Sequence, residues 1–338
     1  MRPFAFEAVN SVNDAVRAAA SLSAASSRGA LQFLAGGTTL IDLMKLDVMR
    51  PTHVVDINAL AASNLGLIEV QPQGLRLGAL ARMADAADNA ELKANYPALA
   101  QSLTLAASQQ IRNMATLGGN VLQRTRCPYF RDVSYDQCNK RNPGSGCAAL
   151  DGFNRSHAVL GVSDQCIASY PGDFAQALIA FGATVDIAGP QGMRIIPFAA
   201  LHRKPGDAPD IETTLKSDEM IASFFIPAAP WTRRSLFLKV RDRESYEFAL
   251  ASAVVALHLD DGRVREARIA LGGVATIPWR ATAAESALKG KAIDDAAKKA
   301  AADAEFANAQ THEHNAFKVE LGRRTLMRAL DQAAAMEI

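Results

Sequence analysis

The sequence predicts an α+β protein of two or three compact units, and three observations carry that expectation. Its 338 residues are 49% hydrophobic, enough to build more than one core. Strand-like runs and stretches of helical spacing both recur along the whole length. A Pro227-Ala228-Ala229-Pro230 segment then marks a boundary between a long N-terminal region and a shorter C-terminal one.

Each element follows from local pattern. A strand precedes an amphipathic helix over 12–20, and residues 31–34 form another strand. After Ala35-Gly36-Gly37-Thr38-Thr39 comes an apolar helix over 40–46, then a strand over 52–57. Short strands are expected at 66–70 and 74–80, turning at Gln71-Pro72-Gln73-Gly74, and helices at 83–94 and 98–107. Residues 124–166 have no clear period, and a loop that long inside a compact domain usually has a function. Beyond it lie a helix at 173–181 and strands at 184–188, 220–226, 235–240 and 263–271. Residues 248–259 read as helix or strand, and alanine-rich helices run to the end, with 292–309 expected as a plain surface helix. No internal repeat is visible.

Composition excludes several function classes. A net charge of +1 argues against a nucleic-acid binder that works by neutralising phosphates. No run of 18 apolar residues exists, so no membrane insertion is expected. The N-terminus lacks the apolar stretch of a signal peptide and reads as a mature start, with export bound to a signal-bearing partner left open.

Two glycine-rich loops are candidate ligand sites. Gly36-Gly37 lies between a strand and a helix, where glycine permits positive φ and close approach of a ligand. Its exposed amides suit an anion such as a pyrophosphate. Thr116-Leu117-Gly118-Gly119-Asn120 offers the same backbone donors plus a hydroxyl and an amide. Neither matches a dinucleotide fingerprint or a P-loop, so a standard Rossmann domain is disfavoured. Gly272-Gly273 reads as a structural turn.

Residues 33–45, the run Ile111-Arg112-Asn113-Met114-Ala115-Thr116-Leu117-Gly118-Gly119-Asn120, Pro171-Gly172-Asp173 and Phe237-Leu238-Lys239-Val240-Arg241 together resemble the flavin subunits of the xanthine dehydrogenase family of molybdenum hydroxylases. That resemblance implies the two-subdomain FAD-binding fold of the vanillyl-alcohol-oxidase/xanthine-dehydrogenase type over 1–227, with subdomains about 1–57 and 58–227. A C-terminal α+β flavin-subunit domain would occupy 228–338. It implies that Leu34, Ala35, Gly36, Gly37, Thr38, Thr39, Leu40 and Ile41 wrap the FAD pyrophosphate. Leu105, Ala106, Thr116, Gly118, Gly119 and Asn120 would line the flavin and ribityl region. Asp173 would bond an adenosine or ribityl hydroxyl, and Ile221 and Lys239 would lie at the isoalloxazine. Read from the residues alone, Asp173 could instead cap the helix after it, and Lys239 could be a surface lysine at a strand end.

All four cysteines fall within 40 residues, as Cys127-x10-Cys138-x8-Cys147-x18-Cys166. Four thiolates suit an iron–sulfur cluster or zinc, and the close C-x2-4-C pairs of structural zinc sites are absent. A 4Fe–4S cluster is the favoured reading. Zinc, two disulfides or four unrelated buried thiols are the alternatives. Arg124, Arg126, Arg131, Lys140, Arg141 and Arg155 would offset the cluster's negative charge.

The insertion 124–166 resembles that of the flavin subunits of bacterial periplasmic aldehyde oxidoreductases. 4-Hydroxybenzoyl-CoA reductase also carries a cluster insertion. The resemblance implies a heterotrimer with a large molybdopterin-binding subunit and a small 2Fe–2S subunit, delivering electrons through FAD to an external acceptor. It also implies a periplasmic location by co-export, with a cytoplasmic one as the alternative. The other readings are the flavin subunit of an aromatic acyl-CoA reductase and, in another class, a non-catalytic zinc-stabilised interaction subunit. None of the six histidines pairs with a nucleophile in a recognisable triad. His312 and His314 read as a solvated linker, and no catalytic residue is assigned on this chain.

Overall fold

Three sheets divide the chain in order, as described by a computed structural model over residues 1–23 and 29–338. The first is parallel and three-stranded, with β1 (Ala5–Ala8), β2 (Leu31–Leu34) and β3 (His53–Asp56) in the order β1-β3-β2. The second is antiparallel and five-stranded. It holds β4 (Ile68–Gln71), β5 (Gly74–Gly78), β6 (Thr184–Gly189), β7 (Gly192–Pro197) and β8 (Met220–Pro227) in the order β4-β5-β8-β6-β7. The third, also antiparallel, runs β12-β11-β10-β9 from β9 (Ser235–Val240), β10 (Ala251–Asp260), β11 (Arg263–Gly272) and β12 (Trp279–Arg280).

The second sheet is covered by helices Met83–Asp88, Ala90–Asn95, Pro97–Thr104 and Phe174–Ala180. Leu75, Leu77, Phe174, Phe181 and Phe224 fill that core, which continues into the third sheet through Phe237 and Val254. The third sheet packs its other face on Thr282–Leu288, Asp295–Glu305 and Phe317–Ala334. Val16, Val55, Leu65 and Met220 join the first sheet to the second.

Several expectations are corrected by tertiary context. The stretch 83–94 is two helices, because Asn89 leaves the helical region and its side chain accepts from the Leu92 amide at 2.9 Å. Residues 248–259 resolve as a strand: β10 lies between β9 and β11 with both faces covered, so its apolar run carries no period. Strand β7 went unrecognised, being an edge strand that leaves Met193 and Ile195 exposed. Helix Asp295–Glu305 is no plain surface helix, since Ala297, Ala301 and Ala302 join the C-terminal core and Glu305 accepts from Trp279 Nε1 at 2.7 Å. Gly273 is a structural turn as expected, with φ +71°.

The insertion has little regular structure of its own. It holds the short helix Pro128–Arg131 and is braced from both sides. On one side Leu43, Val48 and Met49, on and after helix Leu40–Lys45, pack on Phe130 and Cys138. On the other, Lys318 at the start of the last helix is completely buried. Its ammonium donates to the carbonyls of Ser156 (3.0 Å), His157 (3.1 Å) and Gly273 (2.6 Å). Burial and Arg155 push its pKa down to about 7, while three carbonyl acceptors favour the charged form. Asn315 adds a bond from Nδ2 to the Ala158 carbonyl at 3.1 Å. Replacing Lys318 with Met should strand the buried carbonyls of His157 and Gly273 and lower stability by about 3 kcal/mol, measured as an earlier urea midpoint.

Candidate functional site

The two glycine loops meet in space. A Cβ on Gly36 would lie 2.1 Å from the Met114 carbonyl oxygen, so the backbones touch where only glycine fits. Gly37 takes φ +73°. A hydrogen-bonded frame holds the contact. Asn58 Nδ2 donates to the Ala35 carbonyl at 2.9 Å and to Asp56 Oδ1 at 2.7 Å. Arg82 donates to the Met114 carbonyl and, at 3.3 Å, to Asn58 Oδ1.

The loops are not equivalent. Among the described residues, none of the amides from Gly36 to Leu40 donates to a protein acceptor. Five consecutive N–H groups without a protein acceptor suit an anion. In the second loop the amides are largely committed: Leu117 donates to Ala81 O at 3.0 Å, Gly118 to Ala79 O at 2.8 Å and Gly119 to the Thr116 hydroxyl at 3.3 Å. Its expected role as a second amide cradle is therefore corrected. Gly118 is instead a packing position, where a Cβ would come within 3.0 Å of Ala79. What the second loop leaves open is Asn120 Oδ1, a buried acceptor with no protein partner.

Asp173 and Lys239 are both buried and face each other, Lys239 Nζ to Asp173 Oδ2 at 2.7 Å. Asp173 sits at the N-cap position but makes no side-chain cap, so neither the capping reading nor the surface-lysine reading holds. Burial pushes the Asp173 carboxyl up, against the pull of Lys239 and Arg241. Lys239 also donates to Leu105 O at 3.1 Å, as does Arg241 at 3.2 Å, while Arg112 reaches Ala106 O at 2.8 Å. Three cations thus pin a turn whose Ala107 takes φ +48°, a conformation an alanine holds only under such constraint. Ile221 is buried on β8, opposite Ile187.

The four cysteines form no disulfide, and their thiols lie near enough to influence one another. Cys138 and Cys147 pair across an antiparallel bridge whose turn carries Gly144 and Gly146 at positive φ. Cys127 feels Cys138 and Cys166 electrostatically, and burial, the largest influence, pushes it up to about 12. The Cys166 thiol donates to Cys147, holding Cys147 down to about 7 and pushing Cys166 up. Backbone amides of Phe130, Ala149 and Ala168 point at the sulfurs of Cys127, Cys147 and Cys166. Among the described residues, no three His, Cys, Asp or Glu side chains converge on a point that a single metal ion could occupy.

The basic residues around the cysteines are mostly paired, which qualifies the expected cationic surround. Asp42 takes Arg131 at 2.8 Å and Arg126 at 3.4 Å. Glu212 takes Arg124 at 2.5 Å and Lys140 at 2.8 Å, and Asp242 takes Arg155 at 2.7 Å. Of these cations, Lys140 still acts on Cys166, lowering its pKa. Sequence reasoning missed His157, whose Nε2 lies 3.2 Å from Cys127 Sγ. No motif marks that residue. His314 is less free than a solvated linker, since its amide donates to Asn154 Oδ1 at 3.0 Å.

This combination of fold and free-amide loop defines a flavin-binding subunit. Residues 2–229 match the family described as the FAD binding domain in molybdopterin dehydrogenase, and residues 237–333 match the CO dehydrogenase flavoprotein C-terminal domain. The chain belongs to the FAD-binding medium subunits of the molybdenum hydroxylase family. It is 45% identical to the aldehyde oxidoreductase FAD-binding subunit PaoB of Escherichia coli, over 99% of both chains. It is 26% identical to the carbon monoxide dehydrogenase medium chain of Hydrogenophaga pseudoflava, over 98% of this chain and 97% of that one. A solved carbon monoxide dehydrogenase structure from the same organism superposes with a TM-score of 0.75 at 27% identity, covering 99% of this chain and 98% of that one.

The residues present fit FAD. The free amides of 36–40 suit its pyrophosphate, and the orphaned Asn120 carbonyl oxygen suits a donor on the ligand. Replacing Asn120 with Leu should weaken flavin binding about tenfold to a hundredfold, by about 1–3 kcal/mol, with little loss of fold stability, because no protein bond is broken. Gly36→Ala should abolish flavin retention outright. Flavin content and fluorescence titration check both.

Proposed function

We propose that this chain is the FAD- and 4Fe–4S-containing electron-transfer subunit of a heterotrimeric molybdenum aldehyde oxidoreductase, whose partners convert aldehyde and water to carboxylic acid. The carrying observation is the free-amide loop at 36–40 together with four clustered thiols on an insertion packed against the very helix that follows that loop. The likeness to an aldehyde oxidoreductase subunit across the whole length supports the aldehyde as substrate class. The large partner holds the molybdopterin and the small one the 2Fe–2S clusters, and electrons leave through this chain to an external acceptor.

Bound FAD supplies storage for two electrons taken up singly, and the chain's own residues hold and orient it. Leu34 to Ile41 wrap the pyrophosphate. Leu105, Ala106, Thr116, Gly119 and Asn120 would line the ribityl and ring region, and Ile221 would lie at the isoalloxazine. Asp173 and Lys239 act as a pair: Lys239 fixes the 105–107 turn, and its charge would stabilise negative charge on a flavin bound there.

Cys127, Cys138, Cys147 and Cys166 hold the cluster. A cubane distributes four thiolates over separate irons, so it needs no common point of convergence, whereas one zinc ion does. Amides directed at three of the four sulfurs suit a negatively charged iron–sulfur group. Residues 1–227 form the FAD-binding domain around this insertion, and 228–338 the C-terminal domain. The location is periplasmic, reached by folded export with a signal-bearing partner.

Analysis of the purified complex should find one FAD per chain and four iron and four acid-labile sulfide on this subunit, beyond those of the small partner. Cys127→Ser should lose that iron while retaining flavin. A complex without this extra iron, or one carrying zinc in its place, overturns the cluster assignment. Turnover of an aromatic acyl-CoA in place of aldehydes overturns the substrate class.

A further inference from the structure

The side chain of His157 touches a cysteine sulfur, and the preceding reading leaves it without a role. It is buried to 1% exposure, and its Nε2 lies 3.2 Å from Cys127 Sγ. The other ring nitrogen, Nδ1, is buried and has no partner among the described residues. Once Cys127 is a metal-bound thiolate with no S–H to donate, these facts assign the proton. A neutral imidazole carries one N–H. With that hydrogen on Nδ1, a buried donor would stand unpaired and the Nε2 lone pair would face the sulfur's electrons. With it on Nε2, the donor points at the sulfur, and only an acceptor is left unpaired.

The ring is also held in place. The His157 amide donates to Asn154 O at 2.9 Å, and its carbonyl accepts from Lys318 Nζ at 3.1 Å. Asn154 Nδ2 in turn donates to Ala149 O at 3.1 Å, in the turn just after Cys147. The backbone that carries the imidazole is thus held from within the insertion by Asn154 and from the C-terminal domain by Lys318, and its Nε2 faces Cys127.

We propose that His157 is a positioning residue that tunes the cysteine-bound cluster by donating its Nε2–H to the Cys127 sulfur. This inference rests on the iron–sulfur assignment above. A hydrogen bond to a ligating sulfur disperses negative charge. It therefore stabilises the reduced cluster, which carries one more electron, over the oxidised one, and raises the reduction potential. It also holds the Cys127 side chain toward the other three cysteines.

The test uses the intact complex. In His157→Phe, which fills similar volume without a donor, the midpoint potential of this cluster should shift to more negative values, followed by redox titration of its electron paramagnetic resonance signal. In His157→Gln, whose amide N–H reaches a similar point, the shift should be largely reversed. An unchanged potential in the Phe variant, with its iron retained, overturns the proposal, because a ring serving only to fill space predicts that result. If the Phe variant loses its iron, the unsubstituted complex labelled with 15N-histidine decides. A 15N coupling to the reduced cluster in pulsed resonance spectra supports the bond, and its absence overturns it. A native complex with no cluster on this chain fails the earlier assignment instead, so the two failures are distinguishable.

Discussion

The close approach of Gly36 to the Met114 carbonyl is the contact on which the site depends. It brings a loop from the small parallel sheet against one from the helical layer of the larger sheet, with no side chain between them. Asn58 and Arg82 spend their hydrogen bonds on the flanking carbonyls, which keeps the Gly36–Leu40 amides turned outward and unpaired. Free amides are costly if buried and useful only beside an anion. The fold tolerates them because the two subdomains meet there and leave a surface for a ligand.

The cysteine insertion is not an appendage to this arrangement. Asp42, three residues beyond Thr39, holds Arg126 and Arg131 on either side of Cys127 and Phe130. Leu43 packs beside Phe130 and Cys138. The helix that shapes the anion loop is therefore also one wall of the thiol site. From the opposite side, Lys318 and Asn315 hold residues 156–158 by their backbone carbonyls. A segment with almost no regular structure gains its shape from two separate domains.

Much of this was legible in the sequence, for identifiable reasons. The strands at 31–34, 184–189, 220–227 and 235–240 have composition and flanks that local rules describe well. The clustering of four cysteines is visible at any level of description. What the sequence hid were relations between distant residues. Lys239 reads as a polar strand residue until β9 is seen to carry it into a buried pair with Asp173. Gly118 and Gly36 look alike in sequence, yet one packs against Ala79 and the other against a carbonyl. His157 bears no motif, because its significance lies in a contact spanning 30 positions. The alanine-rich helix 295–305 misled by composition, since alanine serves equally at a surface and in a tightly packed core.

The bracing by Lys318 has a consequence for biosynthesis. Its bond to Ser156 spans 162 positions, so most of the chain has left the ribosome before the thiol loop can take its final form. Two of the carbonyls it gathers belong to that loop and the third to Gly273, which also emerges late. Until then the segment has only the brace from the first subdomain, at Asp42 and Leu43. The thiol site is thus completed only after translation, when the last helix closes on it.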